Sequence, residues 1–340
     1  MLKNEVEVSV VCITYNHKNF LRRCLDNIIC QKTDFKFEVL VHDDCSTDGT
    51  TDIVREYAQK YPDLIVPIYE QENQYSKGVK ITANVVRMAT GKYIALCEGD
   101  DYWCDDKKLQ LQYDYMEEHP YCSACFHNTR IYNSIINTTS FENNWKDIHV
   151  MTAKEVFKMG NVHTSSYFFR RQFFNIPDYG KNVWIQDFVF KTTLFKYGQV
   201  VVLPRIMSVY NINNGSGSVT NYFFRIAETD MVKRKTEEIE NYLIKYKQEK
   251  NEYSDVINEL LFQIEFCKIY NYNYRIMSKT NDKKEFKKLK QEIIRHGYFK
   301  KFVRRFNLIG KFRQFVKFNL PFCLFKRLML KRKSNLIWIE

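Results

Sequence analysis

Apolar and polar residues in the first hundred positions alternate between strand-like and helix-like patterns. Short, β-branched apolar runs predict four buried strands, at Val6–Thr14, Phe37–Val41, Leu64–Tyr69 and Tyr93–Cys97. Between them, apolar residues recur at helical spacing over 20–29, 53–61 and 81–89, and Gly91 is expected to cap the third helix at its C-terminus. This order is typical of a parallel doubly wound sheet flanked by helices.

The remaining pattern predicts a more mixed second half. A helix is expected from Asp105 to Glu118, strands and loop over 121–150, and a short helix opened by a Thr152/Glu155 capping box. Further elements are expected at Ser165–Arg170 (strand), from Trp184 to Gly198 (helix) and at Val200–Val209 (strand). We therefore expect one α/β domain over 1–220, a charge-mixed helical segment over 221–295 and a tail over 296–340.

Polar clusters follow three of the four early strands: Thr14-Tyr15-Asn16, Asp43-Asp44 and Glu98-Gly99-Asp100-Asp101. In sheets of this kind, ligands bind at the carboxyl ends of the strands, where these clusters converge. Ser46 or Asp48 is expected to cap the helix that follows the second cluster. The convergence favours a binding site at this edge of the sheet.

The acidic turn, defined here as Glu98–Asp101, is the strongest chemical signal in the chain. Its carboxylates repel one another unless a cation or water neutralises them, and hard oxygen ligands suit Mg²⁺ or Mn²⁺. The alternative is a solvated turn that caps the helix after Asp105. Its position directly after a buried strand favours the metal site.

Three blocks in order carry a family resemblance: Ser9–Asn16, Asp43–Thr50 and Gly91–Trp103. Together they resemble glycosyltransferase family two, bacterial enzymes with the nucleotide-diphospho-sugar transferase (GT-A) fold. The resemblance is clear over 5–130, looser to about 218 and absent beyond. It implies a Rossmann-like, mostly parallel sheet, to which this chain would add a C-terminal helical extension. It also implies a nucleotide-sugar donor, a Mn²⁺ or Mg²⁺ cofactor and inversion at the anomeric carbon.

The same resemblance implies roles for individual residues. Tyr15 and Asp44 would contact the base of the nucleotide, and Asn84 would lie near the nucleotide or its phosphates. Asp100 and Asp101 would serve the ribose, the metal and the diphosphate. Glu98 is a third candidate metal ligand and stands where the family often has Asp. Because Glu is one methylene longer than Asp, it stays open whether Glu98 ligates the metal directly.

Asp187 is the candidate general base, because the family carries an acidic residue at the start of a late helix. The helix dipole stabilises the carboxylate there and is expected to weaken it as a base. An ordinary N-cap is the alternative interpretation, and Asp178, after Pro177, is the competing candidate. His163 and Thr164-Ser165-Ser166 are candidates for a position near the acceptor, and the favoured alternative is that Ser165 and Ser166 are simply strand residues.

One block departs from the family. Relatives often carry Tyr-Arg-x-His after the last strand, but here the sequence is Tyr210-Asn211-Ile212-Asn213-Asn214. The basic residue and the imidazole are both absent. A third metal or phosphate ligand from this segment is therefore in doubt.

The positive charge lies almost entirely at the C-terminus. From Arg295 to Glu340 there are 13 Lys/Arg and one Asp/Glu, which equals the whole formal net charge of +12. Aromatic and apolar residues recur there at helical spacing, which indicates a basic amphipathic tail on an anionic membrane surface. The alternatives are a helix packed on the domain and, less favoured, nucleic-acid binding, so no nucleic-acid partner is expected.

The ten cysteines are scattered singly, as is typical of reduced thiols in a cytosolic compartment. His119, Cys122, Cys125 and His127 resemble a zinc cluster, but core thiols are favoured because no second cysteine pair has zinc spacing. The N-terminus has no signal-peptide core, and no apolar run reaches membrane-spanning length. We therefore expect a cytoplasmic protein, peripheral at the inner face of the cell membrane.

The sequence favours an inverting hexosyl- or N-acetylhexosaminyltransferase. It would move a sugar, from a UDP-sugar more than a GDP-sugar, to a hydroxyl of a growing cell-surface glycan that is free or lipid-linked. Two alternatives stay open: a catalytically degenerate scaffold that binds nucleotide or glycan, and a metal-dependent nucleotidyltransferase.

Overall fold

The computed structural model describes residues 5–133, 137–141, 144–158, 161–212, 229–261 and 264. Residues 213–228, which include Asn213 and Asn214 of the departing block, lie outside the described residues, as do the end of the helical segment and the basic tail. Among the described helices, none combines the length and the apolar character needed to span a bilayer.

Ten strands in this part of the chain form one sheet, in the order β3-β2-β1-β4-β9-β6-β10-β5, with β7 beside β6 and β8 beside β10. The strands are β1 Val6–Thr14, β2 Lys36–Asp43, β3 Ile65–Tyr69, β4 Tyr93–Leu96, β5 Tyr102–Trp103, β6 Cys122–Asn133, β7 Thr138–Phe141, β8 His149–Val150, β9 Phe168–Arg170 and β10 Gln199–Ile212. The helices are α1 Leu21–Ile29, α2 Thr50–Lys60, α3 Ile81–Met88, α4 Lys108–Glu118, α5 Ala153–Val156, α6 Asp178–Lys181, α7 Gln186–Phe195 and α8 Thr229–Glu249.

The first four strands are parallel neighbours, as the alternating pattern predicted. β9 then enters antiparallel between β4 and β6, while β6 and β10 pair in parallel along most of their length. β6 therefore runs in the same direction as β4, and its carboxyl end lies at the same edge of the sheet. Most of the pairing is parallel, which confirms the predicted mixed α/β class.

Helices cover both faces of the sheet. α1, α2 and α4 pack on one face through buried side chains such as Leu25, Val54 and Met116. α3, α7 and α8 pack on the other through Val86, Val189 and Leu243. Burying an apolar stripe of each helix against the sheet supplies the main stabilising free energy of such a fold.

α8 belongs to the predicted helical segment, yet it shares the core of the sheet domain. The Tyr242 hydroxyl lies 2.6 Å from the Thr192 hydroxyl of α7, and the Tyr246 hydroxyl donates to the Thr192 carbonyl at 3.0 Å. Tyr242 and Tyr246 are fully buried. The helical segment is therefore packed against the sheet domain where the structure describes it.

Gly91 does not cap α3, so that prediction was wrong. α3 ends at Met88, and its C-cap residue, Ala89, is extended. A Cβ on Gly91 would lie 2.6 Å from the backbone nitrogen of Ser9, and the Gly91 amide donates to the Ser9 hydroxyl at 2.8 Å. Gly91 instead allows the start of β4 to approach β1 closely.

Other local predictions were met in part. The N-cap of α2 is Gly49, with φ +97°, although Asp48 Oδ1 accepts the Thr50 amide at 2.9 Å and so still satisfies the helix start. The Thr152/Glu155 capping box is confirmed. The expected strand at 165–170 is shorter, because Thr164–Ser166 forms a 3₁₀ turn before β9.

Cys122 and Cys125 are buried free thiols of β6. His119 instead stacks on Tyr115, with ring centroids 4.1 Å apart. His127 is buried, and its Nδ1 lies 2.9 Å from the Asn128 carbonyl oxygen. Each residue of this group is thus accounted for by packing within the sheet or its flanking helix.

Candidate active site

The acidic turn lies beside the end of β1. After β4 ends, the Cys97 amide donates to the Val11 carbonyl and the Gly99 amide to the Ile13 carbonyl, at 3.1 and 2.9 Å. The chain thus continues along β1 before the Asp101 amide closes the turn onto the Glu98 carbonyl at 2.9 Å. The turn is therefore held at the carboxyl edge of the sheet by the ladder itself.

Gly99 makes this close approach possible. A Cβ at this position would lie 2.7 Å from Thr14 Oγ1 and 3.0 Å from His17 Nδ1. The Nε2 atom of the same histidine lies 3.8 Å from the Asp100 carboxylate. Any larger residue would push the turn away from β1 and from His17.

Asp101 is the most enclosed of the three carboxylates, with 2% of its surface exposed. Its Oδ1 accepts the Asn211 amide at 2.9 Å, whereas the buried Oδ2 has no hydrogen-bond partner in the described part of the chain. Burial raises the pKa of Asp101, and the neighbouring Asp100 and Glu98 charges add to the rise. An unsatisfied buried carboxylate oxygen of this kind is costly unless a ligand completes it.

The surroundings of Glu98 also disfavour the ionised form of its side chain. Burial, followed by repulsion from Asp100 and Asp187, raises the pKa of Glu98 to about 8. Asp187 therefore lies close enough to Glu98 for its charge to act on the Glu98 carboxyl group. The structure thus brings the predicted metal residues and the predicted base together, although they lie almost ninety positions apart in sequence.

Asp187 lies in the first turn of α7, as predicted. Asp187 is exposed, but desolvation by the surrounding protein raises the pKa of its carboxyl group, while a hydrogen bond from its own backbone amide, the charge of Lys191 and a hydrogen bond from Thr164 oppose the rise. The stabilisation of the anion that was expected at the helix start is therefore present, but desolvation is the larger cause. A raised pKa makes the carboxylate a stronger base.

The predicted nucleotide-contacting residues lie on three neighbouring elements. Tyr15 is half-buried at the end of β1. Asp44 is fully buried, and its two oxygens accept the amides of Gln74 and Tyr75 at 2.7 and 3.0 Å. Its carboxylate thus already organises the 3₁₀ turn after β3.

Asn84 lies in α3 and is exposed. Its side-chain oxygen accepts a hydrogen bond from Arg87 at 2.7 Å. The side-chain nitrogen of Asn84 is therefore left available to bind a ligand.

Sequence reasoning missed Asn211, whose amide and side chain hold the acidic turn from β10. Its side-chain nitrogen donates to the Asp100 carbonyl at 2.5 Å, in addition to the bond from its backbone to Asp101. The departure at Tyr210–Asn214 was the available signal, since it marked the position where relatives often have arginine. His17 was also missed, although it stands in the polar cluster that ends β1.

Within the described ranges, no group of three His, Cys, Asp or Glu side chains is already arranged around a single metal position. The acidic turn nevertheless fits a divalent cation, because Asp101 Oδ2 is buried and unsatisfied and the clustered charges raise the pKa of both Asp101 and Glu98. Such a cation would share its remaining positions with phosphate oxygens and water.

Residues 9–176 match the sequence profile of Glycosyl transferase family 2. The chain carries a glycosyltransferase family 2 domain. Its fold agrees: PcManGT, a mannosyltransferase from Pyrobaculum calidifontis solved with GDP-Man and Mn²⁺, superposes with a TM-score of 0.57 at 16% identity, over 97% of this chain and 89% of that one. S. aureus TarS 1–349 solved with UDP-GlcNAc gives a TM-score of 0.51 at 16% identity, over 86% and 92%. The family 2 domain therefore has the GT-A fold.

Two curated relatives of the family 2 domain show how far the likeness extends. An uncharacterized protein of Mycobacterium tuberculosis (strain H37Rv) is 36% identical over 208 residues, which is 60% of this chain and 58% of the relative. Poly(ribitol-phosphate) beta-glucosyltransferase of Bacillus spizizenii is 27% identical over 158 residues, 46% of this chain and 24% of the relative. The chain thus spans less than two thirds of these relatives.

Proposed function

We propose that this protein is an inverting glycosyltransferase. It transfers one hexosyl or N-acetylhexosaminyl group from a nucleoside-diphospho-sugar to a hydroxyl of a growing cell-surface glycan, free or lipid-linked. The observation that carries the proposal is the acidic turn at the carboxyl edge of the sheet, where the buried Asp101 Oδ2 has no hydrogen-bond partner among the described residues and Asp187 acts electrostatically on Glu98. A donor diphosphate needs a cation held on carboxylates, and an acceptor hydroxyl needs a carboxylate that takes its proton.

Asp187 is the proposed general base. It accepts the proton of the acceptor hydroxyl as that oxygen forms a bond to the anomeric carbon and the bond to the nucleoside diphosphate breaks. Direct displacement of this kind inverts the anomeric configuration. Thr164, which donates a hydrogen bond to the Asp187 carboxylate, orients it toward the acceptor.

Asp100 and Asp101 are the proposed ligands of Mn²⁺ or Mg²⁺, and Glu98 is a third, less favoured oxygen ligand. Bound there, the cation would neutralise the developing charge on the leaving diphosphate. The ligands bound in two structures of similar fold, UDP-GlcNAc in TarS and GDP-Man with Mn²⁺ in PcManGT, support a nucleotide-sugar donor of this class. We favour UDP over GDP.

Tyr15, Asp44 and Asn84 complete the proposed donor site. Tyr15 would contact the base of the nucleotide. The Asp44 oxygens accept the amides of Gln74 and Tyr75, and Asp44 would thereby place this turn against the nucleotide. Asn84 would donate to the nucleotide or its phosphates from α3.

The proposed organisation keeps residues 1–220 as the catalytic domain, 221–295 as a helical segment and 296–340 as a membrane-directed tail. The protein would be cytoplasmic and held at the inner face of the cell membrane by that basic tail, close to a lipid-linked acceptor. The relative named for poly(ribitol-phosphate) supports a polymer as the acceptor class.

A catalytically degenerate scaffold is the second candidate, and Asn211 is the observation that favours it. The Asn211 amide occupies one oxygen of Asp101, at the position where relatives often have a cationic residue. A scaffold would bind nucleotide without consuming the sugar donor.

The deciding experiment incubates the purified full-length protein with Mn²⁺ and a panel of nucleotide sugars, and measures free nucleoside diphosphate and pyrophosphate. Release of a nucleoside diphosphate from one donor, lost in Asp101→Asn, supports the transferase. Donor binding by thermal shift without release on any acceptor would indicate the scaffold. Pyrophosphate as the product would indicate a nucleotidyltransferase.

A further inference from the structure

We propose that Arg23, Tyr102 and Arg130 form a subsite for an anionic group, a carboxylate or a phosphate, carried by the acceptor. These three residues are called the arginine–tyrosine subsite below. The proposal rests on the glycosyl transfer proposed above, because it places this subsite beside the acidic turn. It adds a charge preference of the acceptor to that reaction.

Three elements bring the subsite together. Tyr102 of β5 pairs with Val209 of β10, and Val209 pairs with Arg130 of β6. Residues on one rung of a sheet present their side chains on the same face. Arg23 of α1 reaches over this edge, with its guanidinium carbon 3.4 Å from the centroid of the Tyr102 ring.

Tyr102 links the two arginines of the subsite. Arg23 stacks on its ring, and Arg130 lies on the same rung of the sheet, with Val209 of β10 between them. Each guanidinium group carries a positive charge, so together they create a small region of positive potential at the surface.

Neither arginine of the subsite forms an ion pair with any carboxylate in the described part of the chain, and both are exposed. Arginines nearby are paired instead: Arg22 with Glu56, Arg55 with Asp52 and Arg205 with Asp105. A guanidinium that stacks on a ring uses its flat face, so its N–H edge stays free to bind anionic oxygens. The pairing of Asp105 with Arg205 leaves the subsite with a net positive charge.

The subsite lies close to the proposed chemistry. Tyr102 directly follows Asp101, and Tyr132, two residues beyond Arg130, pairs with Asn211, which binds Asp101. Two residues along a strand span roughly 7 Å. An acidic sugar or a phosphodiester next to the reacting residue of the acceptor could therefore reach it.

The acidic turn cannot serve this purpose. Its clustered carboxylates repel an anion unless a cation comes with it, as it would with the donor diphosphate. An anionic acceptor therefore needs a separate positive contact, and the arginine–tyrosine subsite supplies it next to the turn. An acceptor without charge would gain nothing from two unpaired arginines.

The first test maps arginine reactivity in the full-length protein. Phenylglyoxal modifies accessible arginines, and peptide mass spectrometry reports each position separately, so the basic tail does not obscure the result. Oligogalacturonate supplies carboxylates, short-chain polyphosphate supplies phosphates and dextran is the uncharged control. We expect one or both anionic probes to slow modification of Arg23 and Arg130 about fivefold, with dextran inactive and Arg22 and Arg55 unaffected.

A further arm separates the acceptor from the donor. UDP with Mn²⁺ is expected to leave Arg23 and Arg130 reactive, while thermal shift reports independently whether it binds. Protection of both arginines by UDP with Mn²⁺ would assign them to the donor site and overturn the proposal. Failure of UDP to bind, with protection by the anionic probes retained, would instead count against the proposed transferase function alone.

The second test uses variants matched for charge. Arg23→Gln with Arg130→Gln is expected to weaken binding of labelled oligogalacturonate or polyphosphate about tenfold, since it removes two charged hydrogen-bond donors. Arg22→Gln with Arg55→Gln changes the net charge equally on ion-paired residues and should retain binding. Equal losses in the two double variants, or none in either, would refute the subsite.

Discussion

At the residue scale, the environment of Asp187 distinguishes it from the other candidate base. Asp187 has a raised pKa and accepts a hydrogen bond from Thr164. Asp178 has a side chain 93% exposed and pairs with Lys181, which lowers its pKa. A group that must accept a proton benefits from the first environment and not from the second.

Replacing Asp187 with Asn should abolish measurable transfer, with kcat lowered by roughly 10²–10⁴-fold, because a general base contributes about that much. Asp178→Asn removes an equal charge from an exposed position and should leave the rate within about twofold. Steady-state kinetics with the donor found in the panel measure both variants. Equal rates for Asp187→Asn and the wild type would exclude Asp187 as the base.

The raised pKa of Asp187 also predicts the acidic limb of the pH–rate profile. A base works only when deprotonated, so kcat/KM must fall as the pH falls through the pKa of Asp187. Since desolvation by the surrounding protein raises that pKa, the fall should begin at a higher pH than for an ordinary aspartate, whose pKa is about 4. Initial rates across the acidic range test this, and a limb at or below pH 4 would contradict it.

At the element scale, the start of α4 is built around a buried cation. Lys108 has no exposed surface; its ammonium lies 4.1 Å from the Trp103 ring centroid and donates to Gln112 at 2.7 Å. Gln112 in turn donates to the Cys125 and Ser166 carbonyls. This polar network joins α4 to β5, β6 and the turn before β9, directly behind the acidic turn.

Burial lowers the pKa of Lys108 to about 7, against about 10.4 in an unfolded chain. Between these values the unfolded chain binds the proton and the folded protein does not, so the free energy of unfolding should rise with pH from about 7 to 10. Below pH 7 both states hold the proton, and the contribution is constant. Lys108→Met should flatten this rise by a difference on the order of 1–3 kcal/mol.

Urea unfolding at several pH values measures the Lys108 effect. Lys107→Met, an exposed neighbour, serves as the control and should keep the slope of the wild type. Identical pH dependence in Lys108→Met and the wild type would show that Lys108 stays protonated in the folded protein through this range.

At the scale of the whole molecule, charge is divided between a balanced body and a basic tail. The tail lies outside the described residues, but the thirteen Lys/Arg of residues 295–340, set against one Glu, account for the whole formal excess. Attraction to an anionic surface is worth about 1 kcal/mol for each basic residue near it, so several such residues dominate membrane binding.

Deletion of residues 296–340 should lower binding to vesicles that contain phosphatidylglycerol by at least about tenfold, with little binding of either form to neutral vesicles. Vesicle co-sedimentation at low and physiological salt measures the effect. Circular dichroism confirms that the shortened protein stays folded. Undiminished sedimentation with anionic vesicles would eliminate the tail as the membrane-binding element.

The first half of the fold could be predicted because each element there repeats a local pattern. β1 to β4 are apolar runs followed by polar residues, and the order of the chain then determines a parallel sheet. β9 could not be predicted as an antiparallel insertion, since three residues carry no signal about their neighbour strands. Gly91 was misread because glycine serves a helix end and a close strand contact equally well, and only the position of Ser9 distinguishes them.

The sequence by itself determined the α/β class, the acidic turn, the position of Asp187 at a helix start and the concentration of charge in the tail. These features depend on residue type and on neighbours within one turn or strand. Only the tertiary structure decided that Asn211 binds Asp101 across 110 positions, that the charge of Asp187 acts on Glu98, and that Arg23 and Arg130 lie on either side of Tyr102. Burial and charge at these contacts arise from distant segments packed together, and no local pattern in the chain encodes them.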